Sequence, residues 1–222
     1  MSEAVNLIFD LDGTLIDSSE GILDAVKRIL IDSGVTPVCP LTADLIGPPL
    51  AQMLKVVTGL QDTSLISRLA AQFMGDYDDE GYRKTTQFSG VERMLETLSQ
   101  QGYRLYIATN KRENPTLKIL ELFGWRSYFE KVYALDQFID CSSKGELLEW
   151  IVETHAMDVE HTLYIGDRIA DHKAAQQAQL GYLMAQWGYE EGEIGLVHYL
   201  STPDQLLELS KEVSQLLSIA DR

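Results

Sequence analysis

The amino-acid sequence predicts an α/β fold: a parallel-sheet core with an all-helical domain inserted after the first strand. From Phe88 onwards, short apolar runs rich in β-branched residues alternate with amphipathic helical patterns, which is typical of βαβ units with right-handed crossovers. From Ser18 to about Lys84 the pattern is helical, and no strand pattern appears there. We therefore expect a catalytic core formed by residues 1–16 and 87–222 and a helical cap domain formed by residues 17–86.

The first predicted strand covers residues 5–10, an apolar run that ends in turn-forming residues. In the inserted domain, a first helix has one apolar face and Gly34 as its C-cap, and "IGPPL" (46–50) then interrupts the helices. A later helix is marked by Leu65, Leu69 and Phe73. The acidic residues that follow it, within 76–80, are expected to be a solvated helix end.

The second part of the chain predicts the remaining strands of the sheet. Their expected ranges are 104–109, 131–135, 162–166 and 181–186, with a short edge strand at 197–200. A helical pattern separates each strand from the next, and Pro203 is expected to open a last helix.

Composition excludes several classes of partner. The 222 residues include 18 Lys and Arg against 34 Asp and Glu, a formal net charge of −16, so nucleic acid or an anionic membrane is not the expected partner. Two cysteines, Cys39 and Cys141, cannot form a disulfide framework and are expected to be free thiols. The sequence has neither a signal-peptide pattern nor an apolar run long enough to span a membrane. We therefore expect a soluble cytoplasmic protein.

Polar residues stand where three predicted strands end. Asp10 ends the strand at 5–10, Thr109 ends the strand at 104–109, and Asp167 follows the strand at 162–166, with Asp171 one helical turn later. In open α/β sheets, ligands bind at the carboxyl ends of the strands. Carboxylates that converge there would repel one another unless a hard cation lay between them, and oxygen ligands of this kind suit Mg²⁺.

Four motifs give the sequence a family resemblance. "DLDGTLIDS" (10–18), "TN" (109–110), Lys144 at the start of a helix and "GDRIAD" (166–171) resemble, in order, the four motifs of the haloacid dehalogenase-like superfamily. "IGPPL", "FSGV" (88–91), "ATNK" (108–111) and "WGY" (187–189) resemble its phosphoglycolate phosphatase-like members. The resemblance covers essentially the whole chain and implies a Rossmann-like core with an inserted helical cap.

The resemblance also implies two different roles for the paired acids of the first motif. Asp10 would be the nucleophile that forms an aspartyl-phosphate. Asp12 would protonate the leaving oxygen and then activate the water that hydrolyses the intermediate. Mg²⁺ would be held by Asp10, the backbone carbonyl of Asp12 and Asp167, and Asp171 would orient a ligand or bind the metal through water.

The phosphoryl oxygens would be bound by the remaining motifs. Thr109 and Lys144 would donate to them, together with the backbone amides around Gly13 and Asn110. Lys144 carries an independent signal, because a cation at a helix N-terminus faces the unfavourable end of the helix dipole unless anions lie nearby.

The expected function is a Mg²⁺-dependent phosphatase of a small phosphorylated metabolite, with phosphoglycolate as the leading substrate. The cap would close over the substrate about hinges near residues 16–19 and 84–88. Arg83 or the loop around Gly47 could contact the non-phosphate end of the substrate. The sequence does not indicate whether the protein is a monomer or a homodimer.

Other functions on the same fold remain open. A phosphoglucomutase-like transferase has the same core motifs, and pyrophosphate or nucleotide monophosphates could be substrates. A dehalogenase needs no acid at position 12, so Asp12 argues against it. A non-catalytic binding protein would usually lack a catalytic carboxylate, and none is missing here.

Several residues are given structural roles or depart from the family pattern. A calcium loop starting at Asp10 is excluded, because Leu15 and Gly21 occupy its required Gly and Glu positions. Gly145 replaces a proline common in the family, and Arg168 replaces a serine or threonine. Residues expected to serve in helix capping, at a hinge or in packing are Asp17, Ser18, His155, His161, His172, His198, Trp187 and Tyr189.

Overall fold

The structure is a computed structural model that describes residues 5–190 and 198–210, and its centre is a parallel sheet of six strands. The strands of the protein are β1 (Asn6–Phe9), β2 (Ile16–Asp17), β3 (Thr86–Gln87), β4 (Arg104–Thr109), β5 (Phe129–Ala134), β6 (Thr162–Gly166), β7 (Gly181–Ala185) and β8 (His198–Leu200). The order in the sheet is β5-β4-β1-β6-β7-β8, and every neighbouring pair is parallel. The predicted α/β fold class is confirmed.

Eight α-helices complete the described part of the chain. They are α1 (Ser19–Asp32), α2 (Leu50–Thr58), α3 (Thr63–Asp79), α4 (Val91–Gln100), α5 (Glu113–Leu122), α6 (Lys144–His155), α7 (Ile169–Gln177) and α8 (Pro203–Ser210). The first three lie in the segment between β2 and β3, residues 18–85, which we call the helical insertion. Gly34 follows α1 with a φ of +65°, the left-handed conformation that ends helices and that glycine adopts without strain.

The two faces of the sheet bury separate apolar clusters. Along β1, Leu7 and Phe9 belong to a cluster that includes α4, α8 and the helical insertion. Ile8 points to the opposite face, where it packs with α6 and α7. Because side chains of a strand alternate between faces, a continuous apolar run such as residues 7–9 of β1 must be covered on both sides. This explains why Leu7, Ile8 and Phe9 are buried.

The strand predictions are accurate in position and differ mainly at their ends. Two ranges, 104–109 and 162–166, are reproduced without change, whereas 131–135 is observed as Phe129–Ala134. The predicted edge strand is β8, although its expected first residue, Val197, lies outside the described residues. Among the residues that the structure describes, no helix is both long and apolar enough to cross a membrane.

One feature was not predicted: β2 and β3 form a separate antiparallel pair. Ile16 faces Gln87 and Asp17 faces Thr86. The pair joins the two points at which the chain leaves and re-enters the core, within the predicted hinge segments. Two-residue strands are too short to show an alternating pattern, so the sequence carried no signal for them.

Candidate active site

The polar strand ends meet at one edge of the sheet, as the sequence predicts. Asp10 follows β1, Thr109 is the last residue of β4, and Asp167 follows β6. One carboxylate oxygen each from Asp10, Asp167 and Asp171 lies within 4.8 Å of the others, and all three residues are buried. Asp171 is held in place because its Oδ2 accepts a 3.1 Å hydrogen bond from the backbone amide of Arg168.

Lys144 supplies positive charge to this acidic cluster. It is the first residue of α6, and its ammonium lies 2.8 Å from Asp10 Oδ2 and 2.7 Å from Asp171 Oδ1. Burial alone would lower the pKa of Lys144, but the two carboxylates outweigh burial and raise that pKa above its usual value. Lys144 therefore remains a cation at neutral pH, next to the predicted nucleophile.

One ammonium does not neutralise three carboxylates, so the cluster keeps an excess of negative charge. Oδ1 of Asp10 is buried and has no hydrogen-bond partner. Burial raises the pKa of Asp10 from 3.8 to about 6, with Lys144 opposing this rise and Asp171 adding to it. The pKa of Asp167 is raised to about 8 by burial and by the charges of Asp171 and Asp10. A buried group of hard oxygen donors with unbalanced negative charge fits Mg²⁺.

Asp12 has a different environment from Asp10. Its carboxylate lies outside the three-residue acidic cluster found in the described chain. Oδ1 accepts a 2.5 Å hydrogen bond from the Ser18 hydroxyl, and the Lys111 ammonium lies 3.1 Å from Oδ1 and 3.3 Å from Oδ2. The side chain of Asp12 is thus not available to the cluster, which is consistent with a metal contact made only by its backbone carbonyl.

Lys111 is a site residue for which the sequence predicts no role. Its ammonium also lies 2.9 Å from the Tyr77 hydroxyl of α3 and 4.7 Å from the centre of the Tyr77 ring. Burial lowers the pKa of Lys111, but Asp12 and Tyr77 outweigh it, so the pKa is raised. The available signal was its position in "ATNK", two residues after Thr109 at the same strand end.

The predicted capping role is wrong for the side chain of Ser18. Ser18 occupies the N-cap position of α1, but its side chain makes no capping hydrogen bond. Its hydroxyl instead holds Asp12. Asp17 does bind the start of the helix, because its Oδ1 accepts from the backbone amide of Ser19 at 2.9 Å.

Trp187 and Tyr189, which we expected to serve only in packing, also contact the site. The indole nitrogen of Trp187 donates to the backbone carbonyl of Thr14 at 2.9 Å. The backbone amide of Tyr189 donates to Asp167 Oδ2 at 2.8 Å, and its hydroxyl donates to Asp17 at 2.9 Å. Both rings also pack against the larger apolar cluster. The segment after β7 therefore positions the loop that carries the predicted nucleophile.

The predicted phosphate-binding residues line the same edge. The Thr109 hydroxyl is buried and accepts from the backbone amide of Lys111 at 3.2 Å. Gly13 has a φ of +84°, and a Cβ at this position would lie 2.2 Å from Asp167 Oδ2. Only glycine fits there, because any side chain would displace the carboxylate.

Asn110 and Arg168 connect the core to the helical insertion. The Asn110 side-chain amide donates to the Gly47 carbonyl at 2.8 Å, whereas its Oδ1 is buried without a partner. Arg168 donates from Nη2 to the Ala43 carbonyl at 3.1 Å. Its Nε lies 3.0 Å from the place that a Cβ of Gly47 would occupy. The residue that departs from the family pattern thus binds the segment just before the "IGPPL" loop and lies beside Gly47.

The other departure, Gly145, lies against the side chain of a residue in α7. A Cβ at Gly145 would lie 2.1 Å from Gln177 Oε1 of α7. Gln177 is itself held by Glu149, whose Oε2 accepts from its Nε2 at 2.9 Å. The side chain of Gln177 therefore occupies the space that a larger residue at position 145 would need.

The acidic segment 76–80 is not simply a solvated helix end. Asp78 accepts from both terminal nitrogens of Arg112, at 3.0 and 2.5 Å, and from Asn114 at 2.8 Å. Lys118 donates to the Asp78 carbonyl at 2.7 Å. The end of α3 is thus bound to the first turns of α5, and the expectation of a solvated cluster is wrong for Asp78.

Two cavities meet at the bond between Asn110 and Gly47. The larger, about 590 Å³, is an open groove that reaches Asp10 and Lys144. The smaller, about 70 Å³, reaches Asp12 and is bounded by the insertion. Asn110 and Gly47 line both. The two acids of the first motif therefore face different cavities on either side of one hydrogen bond.

Comparison with known proteins identifies the family to which the chain belongs. A family model described as haloacid dehalogenase-like hydrolase matches residues 7–185, and the chain belongs to this family. A phosphoglycolate phosphatase of Aliivibrio fischeri is 32% identical over 203 residues, which cover 87% of this chain and 89% of the relative. The predicted resemblance to haloacid dehalogenase-like hydrolases of the phosphoglycolate phosphatase type is confirmed.

Two further matches show the range of the family. The tyrosine-protein kinase PtkA of Mycobacterium tuberculosis is 29% identical over 209 residues, 91% of this chain and 71% of the relative. The crystal structure of a predicted phosphatase from Clostridium acetobutylicum superposes with a TM-score of 0.83 at 26% identity, covering 95% of this chain and all of that protein (100%).

Proposed function

We propose that the protein is a Mg²⁺-dependent phosphatase that hydrolyses a small phosphorylated metabolite, phosphoglycolate or a close analogue, through an aspartyl-phosphate intermediate. The observation that carries the proposal is that Asp10 and Asp12 have different surroundings. Asp10 is grouped with Lys144 and two further acids, whereas Asp12 is held by Ser18 and Lys111. When two carboxylates have different environments, one can act as the nucleophile and the other as the general acid and base.

In the first step, a carboxylate oxygen of Asp10 forms a bond to phosphorus while the bond from phosphorus to the leaving oxygen breaks. Asp12 gives its proton to that leaving oxygen. In the second step, Asp12 takes a proton from a water molecule, whose oxygen forms the new bond to phosphorus. The bond to Asp10 then breaks and inorganic phosphate leaves, so that both aspartates return to their starting states.

The other residues bind the transferred group. Lys144 lies 2.8 Å from Asp10 and remains charged, so it can hold a phosphoryl oxygen beside the nucleophile. Thr109 and the backbone amides around Gly13 and Asn110 are the proposed donors to the other oxygens. Asp10, the carbonyl of Asp12, Asp167 and Asp171 would hold Mg²⁺, which when bound offsets the carboxylate repulsion and polarises the phosphoryl group.

We also propose the domain limits that the sequence indicates, with core residues 1–16 and 87–222 and cap residues 17–86. The pair β2–β3 lies where these limits meet and supports hinges at residues 16–19 and 84–88. Movement there would separate the Asn110–Gly47 and Arg112–Asp78 contacts. The cap would thereby admit the substrate and then exclude water during the first step.

The test is phosphate release from a panel of phosphorylated metabolites, with Mg²⁺ and with EDTA. We expect Mg²⁺-dependent release that Asp10→Asn abolishes, because an amide cannot act as the nucleophile. Asp32→Asn removes an exposed carboxylate at the end of α1 and should keep full activity. Full turnover by Asp10→Asn, or in EDTA, would contradict the proposal.

The same experiment separates the alternatives. A phosphoglucomutase-like transferase would accumulate aspartyl-phosphate and need a sugar bisphosphate for turnover. A pyrophosphatase or nucleotidase would be recognised by its best substrate in the panel. A dehalogenase would need no Asp12, whereas here Asp12 is held by two specific partners.

A further inference from the structure

The ammonium of Lys111 has all its donors engaged within the protein. A lysine ammonium carries three N–H donors, and here they face Asp12 Oδ1 at 3.1 Å, Asp12 Oδ2 at 3.3 Å and the Tyr77 hydroxyl at 2.9 Å. The side chain of Lys111 is only 5% exposed. Because its ammonium lies against both oxygens of Asp12, the place at which Lys111 is held determines the orientation of that carboxyl group.

Tyr77 holds the tip of Lys111 in place. A lysine side chain has a flexible four-carbon stem, so the position of its ammonium depends on the groups that surround it. The Tyr77 hydroxyl accepts from this ammonium, and the centre of the Tyr77 ring lies 4.7 Å from Nζ, within the range of a cation–π attraction. Both contacts are made by a neutral group, so they do not depend on whether Asp12 carries a proton.

Tyr77 is itself fixed within the helical insertion. It belongs to α3 and is 1% exposed. Its ring stacks on Phe73, with ring centres 5.3 Å apart and planes at 10°. On another side it lies against Gly81, where a Cβ would be 2.6 Å from Tyr77 Cδ2. The hydroxyl of Tyr77 therefore has a set place relative to the insertion.

Through Tyr77, the body of the insertion reaches Asp12. Ser18 also binds Asp12, but the two residues are six positions apart in the sequence, and that contact is made at the junction itself. Other side-chain contacts between the core and the insertion leave Asp12 untouched; they are those of Asn110 with Gly47, Arg168 with Ala43 and Arg112 with Asp78. Among the contacts that the structure describes, Tyr77 thus links a helix of the insertion to the proposed general acid.

We propose that Tyr77 is a positioning residue, which acts through Lys111 to hold Asp12 where it can protonate the leaving oxygen. The general acid is then fully assembled only while the insertion is docked on the core, so that the proton is delivered to an enclosed substrate. This inference rests on the proposed phosphatase function and adds a residue of the insertion on which the first step depends.

The test uses two substrates of similar size whose leaving groups differ in their need for a proton. The alkoxide released from phosphoglycolate is a strong base and needs the proton of Asp12, whereas acetyl phosphate releases acetate, which leaves as a stable anion. The measured quantity is the ratio of kcat/KM for phosphoglycolate to kcat/KM for acetyl phosphate. Within one protein this ratio does not depend on how much of the protein is folded.

Tyr77→Phe keeps the ring and removes only the hydroxyl. We expect the ratio to fall about 3- to 10-fold, because one net hydrogen bond is lost, whereas loss of the general acid itself would cost about 100-fold or more. Tyr103→Phe is the matched control. It removes a hydroxyl that donates to the Ser210 carbonyl at 2.7 Å and lines neither cavity, so the ratio should not change.

A double-mutant cycle shows whether Tyr77 acts through Lys111. In a Lys111→Met background, Tyr77→Phe should have no further effect on the ratio, because the route to Asp12 is already broken. The cycle can also be read from kcat/KM of the ester alone. If the wild-type protein hydrolyses another aliphatic phosphate ester of the metabolite panel better, that ester takes the place of phosphoglycolate.

Two results would overturn the inference while the phosphatase proposal stands. If Tyr77→Phe lowers the activity on both substrates equally, the role of its hydroxyl is only structural. If Tyr77→Phe has the same effect with and without Lys111, Tyr77 acts by another route. If the wild-type protein releases phosphate from no compound in the presence of Mg²⁺, the phosphatase proposal fails and the inference fails with it.

Discussion

The side-chain amide of Asn110 donates a 2.8 Å hydrogen bond to the backbone carbonyl of Gly47. Asn110 follows β4 at the sheet edge, whereas Gly47 belongs to the loop before α2. The bond therefore joins the core to the helical insertion at the point where the two cavities meet. In the proposed mechanism, closure of the insertion over the core would depend on this contact.

We expect Asn110→Ala to lower kcat/KM about 3- to 10-fold, mainly by raising KM, since one net hydrogen bond contributes about 0.5–1.5 kcal/mol. The variant keeps the backbone amide proposed to bind phosphate, so it tests the side chain alone. Asn114→Ala is the matched control, because Asn114 also binds the insertion, through Asp78, but lines neither cavity. Equal losses in both variants would contradict a special role for Asn110.

Gly13 and Gly102 offer a matched pair for testing how Asp167 is positioned. Their φ angles are +84° and +86°, but a Cβ would meet Asp167 only at Gly13 and open space at Gly102. Alanine should cost about 1–2 kcal/mol of stability through backbone strain at either site. Only Gly13→Ala should also lose activity, by about 100-fold, because a displacement of about 1 Å at a reaction centre has that effect. Similar kinetics of the two folded variants would refute the positioning role.

The sequence was informative where chemistry or core packing imposes a pattern. The range of β4, 104–109, agrees with the prediction because the apolar run of this strand ends at Thr109. The parallel topology of the sheet also predicts that Asp10, Asp167 and Asp171 lie at the same edge. Contacts between the insertion and the core could not be predicted. Asp78 lies in an ordinary acidic run, and the "ATNK" motif does not indicate a partner for Lys111. Their partners, Arg112 and Tyr77, are each 34 residues away. Such pairs depend on how two elements dock, which no local periodicity encodes.

The ion pair of Asp78 and Arg112 should contribute more than an exposed pair. Its side chains are 15% and 22% exposed and make two hydrogen bonds. A double-mutant cycle with Asp78→Asn and Arg112→Met, followed by chemical denaturation, should give a coupling energy of about 1–2 kcal/mol. In a second ion pair, the side chains of Asp24 and Lys84 are 42% and 40% exposed. Its cycle should give a smaller coupling energy, because solvent screens the attraction between two exposed charges. The reverse order would show that the docking contact contributes little.

Stability of the metal-free protein should fall as the pH rises from about 4 to about 8. Burial raises the pKa of Asp10 to about 6 and that of Asp167 to about 8, from 3.8, so the folded state binds protons more tightly than the unfolded chain. The stability that these groups contribute is complete below about pH 4 and is lost as the pH passes through about 6 and 8. Mg²⁺ needs the deprotonated ligands, so it should stabilise the protein more at about pH 8.5 than at about pH 5.5.

Denaturant midpoints at these two pH values, with EDTA and with Mg²⁺, measure both effects. Asp167→Asn should remove much of the pH dependence in EDTA and most of the stabilisation by Mg²⁺. Asp32→Asn, at an exposed acid, should behave as the wild-type protein does. A Mg²⁺ effect that is equal at both pH values would show that these carboxylates are not its ligands.

The pairing of β2 with β3 has a consequence for how such a protein can change over evolution. Ile16 lies beside Gln87 and Asp17 beside Thr86, so the chain leaves the sheet and returns to it at neighbouring points. The two ends of the helical insertion are therefore already held close together. Replacing it with a shorter or longer segment would cost little additional loop-closure entropy. Descendants of one ancestral hydrolase could acquire new substrates by replacing that insertion while the carboxylates at the sheet edge stayed where they were.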